Sequence, residues 1–300
     1  MADVVQPGER TIDVNGALGR TEGWYARHQL PARFVYWGIH AACLFVFVVG
    51  VTTGDLLLLA ATFFARMFGI TGGYHRYFAH KSYKTGRVFQ FVMAALACTA
   101  TQKGPLWWAG HHRGHHKYAD QSGKDVHSPT DGLYYAHQGW IFDHRWDETP
   151  IERVREFQGY PELVFLNRWY PLPPALLALG LFVFGGFSAL IWGFVVSTTL
   201  LWHTTYAINS VCHIWGTRPY DTPDTSRNNF LLGLLTLGEG WHNNHHHYCA
   251  SARQGFRWWQ VDVTYYLLRG LQAVGVVWDV REPPAHVVNA GQRRDLAKAA

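Results

Sequence analysis

The sequence predicts an all-α integral membrane protein: four transmembrane helices in two hairpins, capped by a cytosolic helical domain. Three observations predict it. Apolar residues are gathered in blocks of membrane length, glycine-containing breaks fall between paired blocks, and histidines crowd the polar segments that follow. The chain of 300 residues is 48% hydrophobic and 16% aromatic. Either a soluble domain or a membrane protein could have that content, and its clustering decides for the membrane.

The elements follow in order. Residues 1–33 are polar and read as a cytosolic N-terminal segment without a cleavable leader pattern, so targeting is expected to rest on the first span. Spans are expected at about 34–52, 55–75, 172–190 and 191–212, each close to the roughly 20 residues that cross a ~30 Å hydrocarbon layer. Gly54-Asp55 and the run Gly185-Gly186-Phe187-Ser188 supply the breaks within the two hairpins. Tyr36, Trp37, Trp169, Tyr170, Trp202 and Trp215 are expected in the aromatic belts at the membrane surfaces. Val88 to Ala100 and Phe230 to Leu237 are apolar but too short to cross. The first is placed in the interface or against the polar cap, because crossing there would put neighbouring histidine groups on opposite sides. The membrane domain then covers 34–280, with a polar tail at 281–300.

Orientation follows from basic residues. Arg20, Arg27 and Arg33 precede span one, Arg76, Lys81, Lys84 and Arg87 follow span two, and the two outer turns carry no lysine or arginine. The positive-inside rule places the histidine segments and both termini in the cytoplasm. These juxtamembrane charges also account for the net charge of +5. No patterned basic surface points to nucleic acid.

The histidines carry the chemistry. His75/His80, His112/His115/His116, Asn209/His213 and His242/His245/His246 form four groups. Residues three and four apart share one helix face, so three of the groups each present a fan of nitrogen or oxygen donors. His75 and His80 do not fit. Five residues turn an α-helix by about 500°, leaving them roughly 140° apart, so His80 is expected past a helix end. Neutral imidazoles with almost no thiolate or carboxylate partners suit a borderline metal such as iron or zinc. Nine nitrogens exceed the four ligands of one tetrahedral zinc, and two metals are the simplest way to use them.

Other chemistries find less support. Cys43, Cys98, Cys212 and Cys249 show no Cys-x-x-Cys pairing and read as small buried residues. No Gly-x-Gly-x-x-Gly turn or phosphate loop opens a strand and helix, so no nicotinamide or flavin site is expected. His28, His40, His127, His137, His144, His203 and His286 read as surface or hydrogen-bonded residues. His111 and His247 break the three/four spacing and are expected behind the ligands or facing away. The loop from Asp125 to Asp131 is turn-rich, with a role in head-group contacts or in supporting the ligands.

Gly69-Ile-Thr-Gly-Gly-Tyr-His-Arg-Tyr-Phe-Ala-His80, His112-Arg-Gly-His-His116, Asn209-Ser-Val-Cys-His213 and Gly238-Glu-Gly-Trp-His-Asn-Asn-His-His246 closely resemble the membrane fatty acyl desaturases of the delta-9, stearoyl-CoA desaturase type. The resemblance runs from about residue 34 to 270. It implies a diiron centre held by His75, His80, His112, His115, His116, His213, His242, His245 and His246, with Asn209 acting through a water. It also implies O2 as co-substrate and a cis double bond, delta-9, in a long saturated acyl chain. An unactivated methylene C–H bond is beyond side-chain acid–base chemistry, so O2 must be activated at metal.

Gln102, Trp108 and Thr205 match the family's residues at the bend of the acyl tunnel. Phe63 and Met67, three and two turns before His75, lie near its face and are expected to close the tunnel's far end. One departure concerns the head group. Animal acyl-CoA desaturases carry an Arg-Asp pair before the second histidine box where this chain has Gly110-His111, leaving acyl-CoA, acyl-lipid and acyl-carrier substrates open. With no nicotinamide site and no haem motif of a fused cytochrome b5, an external donor is expected: ferredoxin, rubredoxin, or cytochrome b5 with its reductase. Lys117 and Arg253 could steer an acidic one. The rival readings are a diiron alkane or lipid hydroxylase and, from another class, a histidine-rich metal transporter, which would place ligands at mid-span.

Overall fold

The computed structural model describes residues 29–290. The N-terminal segment up to His28, with Arg20 and Arg27, and the tail from residue 291 lie outside the described residues. The rest is mostly helical.

The first helix, Gln29–Ala42, runs on through a 3-10 turn at Cys43–Phe45 and a last helical turn at Val46–Val49. It ends at Gly50, whose φ of 69° suits a residue without a β-carbon. Thr52 then starts the helix Thr53–Phe68 with a capping box: its hydroxyl accepts the Asp55 N–H, and the Asp55 carboxylate accepts the Thr52 N–H. The first break therefore lies at Gly50–Thr52, before the Gly54-Asp55 pair that the sequence pointed to. Those two residues belong to the first turn of the second helix, because Asp55 is needed there as the box partner.

Two stretches among the described residues are long and apolar enough to cross a membrane, Thr53–Ala79 (27 residues) and Leu172–Ile214 (43 residues). The second is not one rod. Gly186 has φ 73° and ψ −167°, outside the helical region, and the Leu181 side chain comes within 3.2 Å of where a methyl on Gly193 would sit. Residues twelve apart on a straight helix are about 18 Å apart, so the chain doubles back at Gly186. The two breaks meet: Ser188 donates to Asp55 Oδ1 at 2.8 Å and Trp192 donates to the Gly50 carbonyl at 2.9 Å. Outward faces stay apolar, with Phe47 84% and Phe184 93% exposed. Side chains of that kind belong against lipid tails, and with the length of the helices they mark a membrane protein.

Two aromatic assignments change. Tyr36 and Trp202 are buried core residues, stacked at 5.0 Å, and the Trp202 indole donates to the Ala100 carbonyl. They face each other inside the bundle, unlike the exposed Trp37, Trp169 and Trp215. Arg76 is not a juxtamembrane charge either. It is 1% exposed and bridges Glu239 and Asp262. Arg66, inside the Thr53–Ala79 stretch, is also buried. Its guanidinium donates to Ser197, to Thr198 and to the carbonyls of Thr62 and Thr99. Thr99 caps the C-terminus of the Arg87–Cys98 helix, where a cation is favoured by the helix dipole.

The Arg87–Cys98 helix covers the wide-wound segment Gly69–Ala79. A methyl on Gly69 would lie 2.9 Å from Ala97 N, so the two backbones touch at that point. Gly69→Ala is expected to lower stability by roughly 1–3 kcal/mol through overpacking, read as a lower unfolding midpoint in detergent. A small antiparallel pair, Lys84–Thr85 with Val277–Trp278, ties the end of this segment to the C-terminal part. Strands of two residues are too short to show alternation in a sequence.

Candidate metal centre

Gly69–Ala79 is π-helical. The i→i+5 bonding of a π-helix places residues five apart one above the other. His80 is the C-cap of this segment and its N–H bonds to the His75 carbonyl at 3.1 Å. The wide winding, together with the helix end, brings the two rings to 4.8 Å. His112, His115 and His116 sit on Pro105–Tyr118, which starts with proline at the position where a missing N–H costs nothing. His213 is in the last turn of Ser197–Ile214, and His242, His245 and His246 occupy the short helix His242–His247.

These four supports bring the nine histidines together in two sets. His75, His80, His112, His116 and His245 form one, and His115, His213, His242 and His246 the other. Within each set one candidate ligand atom per residue lies within 4.8 Å of the others. Nε2 faces Nε2 throughout: His75–His245 at 2.9 Å, His80–His112 at 3.0 Å, His116–His245 at 2.9 Å and His213–His242 at 3.0 Å. Within the four-histidine set, His115 and His246 come 3.3 Å apart at Nε2.

The far nitrogens explain this arrangement. His115 Nδ1 meets Asp125 at 2.9 Å and His246 Nδ1 meets Asp224 at 2.9 Å. His213 Nδ1 lies 3.0 Å from Asp120, an ion-pair separation with poor hydrogen-bond alignment, and His75 Nδ1 contacts Glu239. A neutral imidazole carries one proton. With it held on Nδ1, the Nε2 atoms of His115 and His246 point lone pairs at one another, and a cation between them would remove the repulsion. The donors therefore fit transition-metal ions. Burial, and then the charge of neighbouring imidazoles, keeps His80, His112, His116, His242 and His245 well below the usual histidine range. They are neutral and ready to ligate. Burial would raise Asp120, but His213 and Thr225 bring it down to about 2.

A cavity of about 730 Å³, open solvent included, reaches His75, His112 and His242 of the two sets. Met67, Gln102, Trp108, Thr205 and Asn209 all line it. The Gln102 amide donates to Thr205 at 2.8 Å and accepts from the Trp108 indole at 3.3 Å. Left-handed backbone at Thr101 (φ 57°) and Lys103 (φ 62°) turns Gln102 toward that network. Phe63 stands apart from the lining, in the buried cluster that contains Met67, Tyr36 and Trp202.

The remaining histidines have other partners. His111 accepts from or donates to no ligand histidine but meets the Glu148 carbonyl at 2.9 Å, and His247 stacks on Tyr220 at 4.4 Å. His40, His203 and His137 form a hydrogen-bonded chain ending on Ser210. His127 is buried beside His115 and lines the cavity. Sequence reasoning missed Asp120, Asp224 and Glu239 as partners of ligand histidines. Asp224 and His246 are 22 residues apart, and no helical spacing links them. Only the loop containing Asp125 drew attention.

Two polyhistidine pockets beside a cavity, on a membrane-type helical frame, are compatible with a metal-dependent membrane enzyme. The comparisons agree. The fatty acid desaturase family pattern matches residues 53–279. The chain is 37% identical to an acyl-CoA C20 delta5-desaturase of Anemone leveillei, over 82% of this chain and 80% of that one. It is 36% identical to the chloroplastic palmitoyl-monogalactosyldiacylglycerol delta-7 desaturase of Arabidopsis thaliana, over 90% and 80%. With delta-9 acyl-lipid desaturase 2 of the same plant it shares 40% identity over 76% and 74%. The protein belongs to the fatty acid desaturase family and is an oxidoreductase.

Proposed function

We propose that this chain is an O2-dependent acyl desaturase that introduces a cis double bond, delta-9, into a long saturated chain at a diiron centre. The observation that carries this reading is the pair of histidine sets, five and four, opening on an apolar cavity. When bound, two irons supply the activation of O2 needed to break methylene C–H bonds. Two hydrogens leave adjacent carbons, O2 takes them with two electrons and two protons, and two waters form.

The chain's own residues bind and orient. His75, His80, His112, His116 and His245 would hold one ion, and His115, His213, His242 and His246 the other, with Asn209 acting through a water. Gln102, Thr205 and Trp108 would set the bend of the acyl chain by their mutual hydrogen bonds. Gly110 and His111 stand where a charged pair would face CoA, and His111 is turned to the Glu148 carbonyl. That favours an acyl-lipid substrate. The four-span topology is supported by the two breaks touching one another, and the cytoplasmic side for the histidines rests on the basic residues near them in sequence.

The test is expression in cells lacking unsaturated acyl chains, followed by mass spectrometric location of any new double bond. A cis bond at the ninth carbon is expected. A hydroxylated chain without one would replace this reading with that of a hydroxylase.

Met67→Ala and Phe63→Ala are expected to shift preference toward longer chains while leaving the bond position, counted from the carboxyl end, unchanged. An active variant with an unaltered length profile would remove that residue from the tunnel. Electrons are expected from a separate ferredoxin, rubredoxin or cytochrome b5. Turnover with NAD(P)H, O2 and substrate alone would refute this.

A further inference from the structure

The two histidine sets differ in what stands behind them. In the four-histidine set, Asp125, Asp120 and Asp224 back His115, His213 and His246, leaving only His242 without a carboxylate. Each of these carboxylates is fixed in place. Asp125 accepts the Asp120 N–H at 2.8 Å, Asp120 accepts from Thr225, and Asp224 accepts the Ser226 N–H at 3.0 Å. Among the described residues, no arginine or lysine pairs with any of the three side chains. Arg218 reaches the main-chain carbonyl of Asp224, not its carboxylate.

The five-histidine set is backed differently. Only His75 has a carboxylate, Glu239, and that group is shared with Arg76 and with the Gln254 amide. Arg76 in turn takes Asp262. His245 Nδ1 is buried with no partner, and no carboxylate pairs with His80, His112 or His116 among the described residues.

We propose that the two metal positions are unequal, and that Asp120, Asp125 and Asp224 are positioning residues that make the four-histidine position the tighter one. A carboxylate accepting the Nδ1 proton fixes the ring and raises its basicity, and losing such a partner typically weakens metal binding about 10–100-fold. Two buried carboxylates and a half-buried third, none paired with arginine or lysine among the described residues, also place more negative charge near a cation than a single carboxylate shared with a guanidinium. Against this stands one extra neutral imidazole in the five-histidine set. The added carboxylates outweigh it because Asp125 and Asp224 each accept from a ring of this set and Asp120 places a third negative charge 3.0 Å from His213 Nδ1. The inference rests on the diiron reading above.

The experiment uses the full chain in detergent, stripped of metal by a chelator and titrated anaerobically with ferrous iron. Wild type is expected to bind two equivalents in two steps. Asp224→Asn, which keeps the shape of the side chain, is expected to weaken the first step 10–100-fold and leave the second in place. Glu239→Gln should act on the second step alone. Equal affinities in wild type, or an Asp224→Asn effect confined to the weaker step, would overturn the inequality. Binding of only one equivalent would instead overturn the diiron reading.

A measurement free of variants guards against misfolding. One equivalent of iron-57 added to stripped wild type should give a single Mössbauer environment, distinct from that appearing with the second equivalent. An even mixture of both at one equivalent would also overturn the proposal.

Discussion

Replacing His112 or His242 by alanine is expected to abolish desaturation, while His286→Ala retains most of it. His112 belongs to the five-histidine set and His242 to the four-histidine set, both in direct Nε2 contact with other members. His286 is exposed, away from both. Each ligand variant should also lose about one iron from the two expected per chain, which separates a metal effect from a substrate effect. Iron analysis of the purified proteins and double-bond counts in lipid extracts check this. Equal losses at His286 would show that the division between ligands and bystanders is wrong.

Arg76→Met is expected to cost about 3–5 kcal/mol, because it leaves two buried carboxylates without their shared cation. The guanidinium lies 3.0 Å from Glu239 and 2.9 Å from Asp262, and also donates to the Ala252 carbonyl at 2.7 Å. A loss of that size approaches the whole stability of many domains. The variant should accumulate poorly and unfold at a much lower temperature, with Arg76→Lys intermediate because a single ammonium cannot fork between two partners. Unfolding midpoints close to wild type would place the cost elsewhere.

The clustering of the histidines was legible because helical spacing is a local signal. His112/His115/His116 and His242/His245/His246 announce shared faces within four residues. The partners of those rings were not legible. Asp120, Asp224 and Glu239 reach their histidines only after loops and helices have packed, and nothing near them in sequence marks the contact. The same limit hid Arg66 and Arg76. Each looks like an ordinary basic residue in a row, yet one caps a buried helix end and the other ties two carboxylates inside the fold. Apolar blocks marked the long helices, and glycines lie at their breaks. The exact place of the first break depended on a capping box formed by Thr52 and Asp55, a pattern that sits beside Gly54 and competes with it.

The wide-wound segment Gly69–Ala79 also bears on how ligand spacing is read as ancestry. An α-helix places residues four apart on one face and a π-helix places residues five apart there. His112 with His116 and His75 with His80 are thus two spellings of one spatial pair. A π turn holds one residue more than an α turn, so a deletion between His75 and His80 need not separate the two rings. It would restore ordinary winding and a four-residue spacing. Homologous chains whose first histidine box is one residue shorter or longer can therefore build the same pair, and a change in spacing there is a change of winding before it is a change of chemistry.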